Sequence, residues 1–128
     1  RLAAIGADAL LVPVFSERAS VHDRITGSVG SLARTLAGMR RLQAQGVALE
    51  VEVPLLSPRL QQPEALVDLL ARIARPARVR FLASRVLQPT ALAPPRWDRI
   101  ADGLAAALRR CRQLEIGVRL STADEVPL

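Results

Sequence analysis

The chain has 128 residues, half of them apolar, which is one domain's worth of sequence with enough apolar surface for a real core. Its formal net charge is +6, and all 18 basic residues are arginines scattered along the chain; with Phe15, Phe81 and Trp97 forming no stacking platform, nucleic acid is disfavoured as a partner. No apolar run approaches the roughly 18 residues of a membrane span, and the single Cys111 excludes an internal disulfide or a multi-cysteine metal site within this chain, so a reducing cytoplasm is the expected setting.

The opening "RLAAIGA" has no basic n-region or cleavage site and looks like the last turns of a helix. With no initiator Met, the chain is expected to be a piece of a longer protein. The first strand-like run is "ADALLVPVFS" (7–16), too short and too apolar for a helix of its own. It leads into "HDRITGSVGS" (22–31), expected to be a strand-to-helix turn. There Gly27 and Gly30 permit the turn, Ser28 or Ser31 caps the next helix, and Asp23 with Arg24 forms a solvated pair or a cap. His22 is expected to fix the entry to the helix rather than act as base or ligand, because no second His and no nearby Cys supports it. Arg24 is the residue of this turn best suited to touch a ligand.

A helix follows from about Ser31 to Gln45, with Leu32, Leu36, Met39 and Leu42 on one stripe and Gly46 as its stop. The second strand, "VALEVEVPLLS" (47–57), alternates Leu49, Val51 and Val53 with Glu50 and Glu52. The next helix begins at Pro63 with Glu64 in its first turn, buries Leu66, Leu69, Leu70 and Ile73, and ends at Arg75-Pro76. The third strand, "ARVRFLAS" (77–84), carries Arg78 and Arg80 in the same alternation. A last helix runs from Pro95 to about Leu114, with Trp97, Ile100, Leu104, Leu108 and Cys111 at three- and four-residue steps, before the strand "GVRLST" (117–122).

Strict alternation predicts an α/β chain with a parallel sheet and right-handed crossovers. Two closures fit: an open doubly wound sheet or a segment of a (β/α) barrel. Glu50 and Glu52 help to choose. In a sheet covered on both faces two carboxylates on one strand are costly to bury. In a barrel their face points into a polar interior, where Arg78 and Arg80 can pair with them. A partial, half TIM barrel of about four strands and three to four helices is therefore expected. Neither a G-x-G-x-x-G nor a G-x-x-x-x-G-K-[ST] loop is present, which weakens nucleotide-binding readings.

In such folds the site lies at the carboxyl ends of the strands. The polar residues there are Ser16, Glu17 and Arg18; Ser57 and Arg59; Ser84, Arg85 and Gln88; and Ser121, Thr122, Asp124 and Glu125. Ser16 has no His–Asp arrangement, which argues against a hydrolase triad. Glu50 and Glu52 are spaced like a general acid/base pair, and equally like the charge-paired lining of a barrel. Cys111 and Met39 belong to apolar stripes and are expected in the core.

The stretch from "ADALLVPVFS" through "VHDRITGSVGSLARTLAGMRRLQAQGVALEVEVPLL" resembles the second half of the radical S-adenosylmethionine (SAM) enzyme barrel. The matching features are His22-Asp23, Gly27 with Gly30-Ser31-Leu32, Gly38-Met39 through Leu42 to Gly46-Val47, and "PEALVDLLARIA". The closing "GVRLSTADEVPL" is similar to the last barrel strand of members with an auxiliary C-terminal region. The nearest subgroup is that of the sulfatase-maturing and peptide-modifying enzymes. The resemblance implies a [4Fe–4S] cluster and SAM, whose reductive cleavage gives a radical that abstracts hydrogen from a substrate, in that subgroup a peptide.

The chain has no C-x-x-x-C-x-x-C motif, so it would correspond to strands four to seven, with the cluster-binding half absent and the isolated segment inactive. The family's Ser for the SAM carboxylate falls at Val14, with Ser16 two residues later; its Arg falls at Thr26, with Arg24 two residues earlier. On this resemblance Ser16, Arg24 and Glu52 contact SAM (Glu50 if the inward step differs), while Arg80, Ser84 and Arg85 line the substrate cavity. Two alternatives stand beside it: a self-contained α/β binding or regulatory domain, and a structural half-barrel that self-associates through open sheet edges.

Overall fold

The computed structural model describes residues 9–83 and 97–122. The elements follow in the order β1 (Leu10–Pro13), α1 (Ala19–Thr26), α2 (Ser31–Ala44), β2 (Leu49–Pro54), α3 (Pro63–Ile73), β3 (Arg78–Ala83), α4 (Trp97–Gln113) and β4 (Gly117–Thr122). The four strands form one parallel sheet in the sequential order β1-β2-β3-β4. The expected half-barrel arrangement is therefore what the chain adopts.

Sidedness distinguishes this arrangement from a doubly wound sheet. Leu49, Val51 and Val53 of β2 and Val79 and Phe81 of β3 share one core with Leu36 and Met39 of α2, Leu66 and Leu70 of α3, and Ile100 and Cys111 of α4. All three long helices thus cover the same face, as consecutive right-handed crossovers of one sense require. The intervening residues of the strands look away from the helices.

The helices start and stop by identifiable means. Pro63 occupies the first turn of α3, where its missing N–H costs nothing, with Glu64 beside it. Gly46 adopts φ 85° just beyond α2, and Val47 N–H donates to Leu42 O at 3.0 Å in a Schellman-type stop. At the end of α4 the same turn, with Ile116 N–H donating to Cys111 O at 2.9 Å, is made with Glu115 at φ 58°. Across the helix layer Arg110 Nε donates to Asp68 Oδ1 at 2.6 Å, tying α4 to α3.

Three expectations need correction. The segment expected as a turn is largely helical: His22, Asp23, Arg24 and Thr26 belong to α1. Neither Ser28 nor Ser31 caps α2; Gly30 is the N-cap residue, with φ 82°, and the cap is supplied from outside by Asp23. Trp97 is not core but 38% exposed at the start of α4. The helix expected over "RLAAIGA" lies outside the described residues.

Candidate functional site

The face of the sheet turned away from the helices is built in rows by the parallel register. One row brings Leu11, Glu50, Arg78 and Gly117 side by side; the next brings Pro13, Glu52, Arg80 and Arg119. Pro54, Leu82 and Ser121 stand one step closer to the carboxyl end. Five charged residues therefore share a surface that no described helix covers.

Four of the five are paired across neighbouring strands. Arg78 Nη1 lies 3.7 Å from Glu50 Oε2, and Arg80 Nη1 lies 3.7 Å from Glu52 Oε2. Arg80 Nε also donates to Ser121 Oγ at 3.0 Å, which fixes its plane. The expected glutamate–arginine pairing is present, and both glutamates are half-buried. At 3.7 Å the pairs are ionic contacts rather than short hydrogen bonds, so each carboxylate keeps acceptor capacity. Arg119 is exposed and has no acidic partner among the described residues.

At the carboxyl end of the sheet, the loops after β1 and β2 are stitched together. Ser16 is fully buried; its hydroxyl donates to Leu60 O at 2.7 Å and accepts from Arg18 N–H at 3.1 Å. That hydroxyl is committed to the loops. Gln61, also fully buried, donates through Nε2 to Phe15 O and Pro54 O, both at 2.8 Å, and accepts from Leu56 N–H at 3.2 Å. Glu17 Oε1 accepts from Gln62 N–H at 3.0 Å, and Arg18 Nη2 donates to Arg59 O at 2.5 Å. Sequence reasoning passed over Gln61, because a single amide in a polar loop carries no signal of burial.

The corner between α1 and α2 is a second polar cluster. Asp23 accepts from Gly30 N–H at 2.7 Å and from Leu32 N–H and Ser31 Oγ–H at 3.0 Å each. The Leu32 and Gly30 amides hold its carboxyl below the usual aspartate range. His22 presents Nδ1 at 3.0 Å to Ser31 Oγ, which also meets Thr26 Oγ1 at 2.6 Å. Its Nε2 is buried without a partner among the described residues, and the ring lies against Phe15 with centroids 5.5 Å apart. Burial pushes the His22 imidazole below its ordinary value, although Asp23 pulls the other way. The histidine thus packs within α1 against Phe15 and meets the first residue of α2.

The residues proposed from sequence thus separate. Glu52 and Arg80 stand together on the open face. Ser16 is sealed between two loops, and Arg24 is exposed in the last turn of α1. Ser84 and Arg85, with Gln88, Asp124 and Glu125, lie outside the described residues. No group of three or more His, Cys, Asp and Glu among the described residues can hold a metal, and Cys111 is buried in the helix layer with its thiol pKa pushed up. No described helix is long and apolar enough to cross a membrane.

The chain matches no model of a known protein family, no curated protein and no solved structure.

Proposed function

We propose that this chain is the cavity-lining half of a (β/α)-barrel enzyme of the radical SAM kind, with its open sheet face as the wall of the ligand cavity. The observation that carries the reading is sidedness: sequential parallel strands place every long helix on one face and every charged strand residue on the other. Such a face is costly to cover with apolar helices but is the natural lining of a barrel, where ligands bind at the carboxyl end. The motif resemblance around His22-Asp23 and Gly30-Ser31-Leu32 supplies the family.

When bound, SAM supplies a carbon radical that takes hydrogen from the substrate. The residues here fit that cofactor only in part. Glu52, half-buried and with acceptor capacity left, fits a contact to a hydroxyl or amine. Ser16 does not fit, since its oxygen already holds Leu60 and Arg18. The cluster, in this reading, is held by another part of the polypeptide, and this chain alone is inactive. Its own share of the work is to hold the cavity wall rigid through Gln61 and to orient polar ligand groups with Glu52 and Arg80. A peptide substrate and a cytoplasmic setting belong to the same proposal.

The test is to read the natural coding frame upstream of Arg1. A C-x-x-x-C-x-x-C motif about 80 to 110 residues earlier, at roughly two βα units plus a strand, is expected. A start codon immediately before Arg1 overturns the reading.

A second reading has its own observation. Val118 and Leu120, on the helix side of β4, are 39% and 54% exposed, while Val79 and Phe81 in the same rows of β3 are fully buried. An uncovered apolar edge of this kind suits a half-barrel that pairs with a second copy. Sedimentation of the isolated chain decides: a dimer that dissociates on Leu120→Lys supports it, and a monomer at all concentrations overturns it.

A further inference from the structure

Among the described residues the open face carries one positive charge more than its own carboxylates balance. Glu50 and Glu52 offset Arg78 and Arg80, and Arg119 remains. The register sets Arg119 directly beside Arg80 on the neighbouring strand. Adjacent strands are about 4.8 Å apart, and like charges directly opposite one another on a sheet face repel. An oxyanion between the two guanidiniums relieves that repulsion.

The surroundings favour such a ligand in three ways. Arg80 is held by Glu52 through Nη1 and by Ser121 through Nε, so its guanidinium is preoriented rather than free. Ser121 accepts from Arg80, which leaves its own hydroxyl proton available to donate to a ligand. Gly117, two residues before Arg119 on the same face, carries no side chain of its own to crowd Arg119.

We infer that Arg80, Arg119 and Ser121 form a binding site for the carboxylate group of a small-molecule ligand on the open face of the sheet. Guanidinium forks match a planar carboxylate, which accepts two parallel N–H bonds while the serine hydroxyl supplies a third. Among the described residues the five charged groups of the face sum to +1, which a carboxylate neutralises and a doubly charged phosphate overshoots. Arg80 and Arg119 stand mid-strand, and Ser121 lies one step toward the carboxyl end, the side on which ligands bind in parallel α/β sheets. The site rests on the reading of this face as a cavity wall and needs no radical chemistry.

The experiment is an NMR titration of the chain with sodium acetate, and separately with inorganic phosphate, at constant ionic strength made up with chloride. The readouts are the Nε–Hε signals of Arg80 and Arg119 and the amide of Ser121. Acetate is expected to shift all three along one saturating curve, with a Kd of about a few millimolar. Arg119→Gln is expected to weaken that binding about tenfold, since charge-assisted bonds are the strong ones here. Arg109→Gln, on the exposed side of α4, leaves it unchanged. Shifts that stay linear in acetate, spread evenly over exposed arginines, or survive Arg119→Gln overturn the site. Phosphate binding more than tenfold tighter than acetate overturns the carboxylate assignment. Failure of the enzyme reading is distinguishable: a missing upstream cysteine motif with saturable acetate binding leaves this site standing.

Discussion

The two faces of β2 and β3 are made of the same few residues in strict alternation, yet they obey different physics. On one face Val51, Val53, Val79 and Phe81 are entirely sealed by the helices. On the other, Glu50, Glu52, Arg78 and Arg80 form two ionic pairs with water still in reach. Burial of the first set stabilises the domain by about 1.5–3 kcal/mol per large side chain. Exposed or half-buried ion pairs contribute 0–1 kcal/mol each, at about the level of ordinary surface change. The covered face therefore holds the fold together, and the open face contributes little to stability.

The sharpest way to break this contrast is to truncate neighbours that point in opposite directions. Phe81→Ala removes the largest fully buried side chain among the described residues and is expected to cost about 3–5 kcal/mol in urea unfolding. Arg80→Ala, one residue earlier and half-buried, is expected to cost no more than about 1 kcal/mol. Equal losses would mean that the open face is itself packed against something that stabilises it.

Acid separates the α1–α2 corner from both faces. Burial lowers the His22 pKa, so the unfolded chain binds that proton more readily. Stability from this group is complete above the ordinary value of 6.5 and falls as pH drops from there toward the folded pKa. Asp23 is also lowered, so its contribution is complete above the ordinary 3.8 and is lost as pH falls through its folded value. The melting temperature of the native chain is expected to decline in two stages. His22→Phe is expected to flatten the first and leave the second. A first stage that persists in His22→Phe assigns it to another group.

These contrasts also explain what was legible in the sequence. Alternation in "LEVEV" and "RVRF" is a period-two signal that any half-covered strand must show, and it fixed both the sheet and its charged face. The pairing of Glu52 with Arg80 followed from strand order alone, because parallel neighbours set the register. α1 was not legible: eight residues offer only Val21 and Ile25 at helical spacing, and the neighbouring Gly27 and Gly30 signal a turn more strongly. The role of Asp23 was half legible. A cap was among the expected roles, but its partners, Gly30 and Leu32, are seven and nine residues away, beyond the usual local cap. Ser16 illustrates the opposite failure. Its place at a strand end matches a ligand contact by position, yet Leu60 reaches it first. Loop-to-loop packing of that kind has no period and leaves no mark on a single sequence.

Glu115 tests whether the covered side can be improved without touching either face. At φ 58° it occupies the left-handed position that closes α4, where Gly46 closes α2. A side chain there costs backbone strain that glycine avoids. Glu115→Gly is expected to raise stability by up to about 1 kcal/mol, read as a higher urea midpoint with unchanged slope. A lower midpoint would show that the greater freedom of glycine in the unfolded chain outweighs the relieved strain.

The smallest expected effect bears most directly on the open face. Double-mutant cycles on Glu50–Arg78 and Glu52–Arg80 are expected to give coupling energies below about 1 kcal/mol, with the second pair the stronger. The two pairs have the same 3.7 Å separation, so distance does not rank them. Burial and restraint do. Arg78 is 43% exposed in its side chain against 26% for Arg80, and only Arg80 is fixed by a further bond, to Ser121. Less water weakens screening, and a guanidinium already held in place loses less rotamer freedom on pairing. Raising the salt should therefore erase the Glu50–Arg78 coupling first. A cycle in which Glu50–Arg78 is stronger and resists salt would place the restrained charge one row lower, away from Arg119 and the proposed carboxylate site.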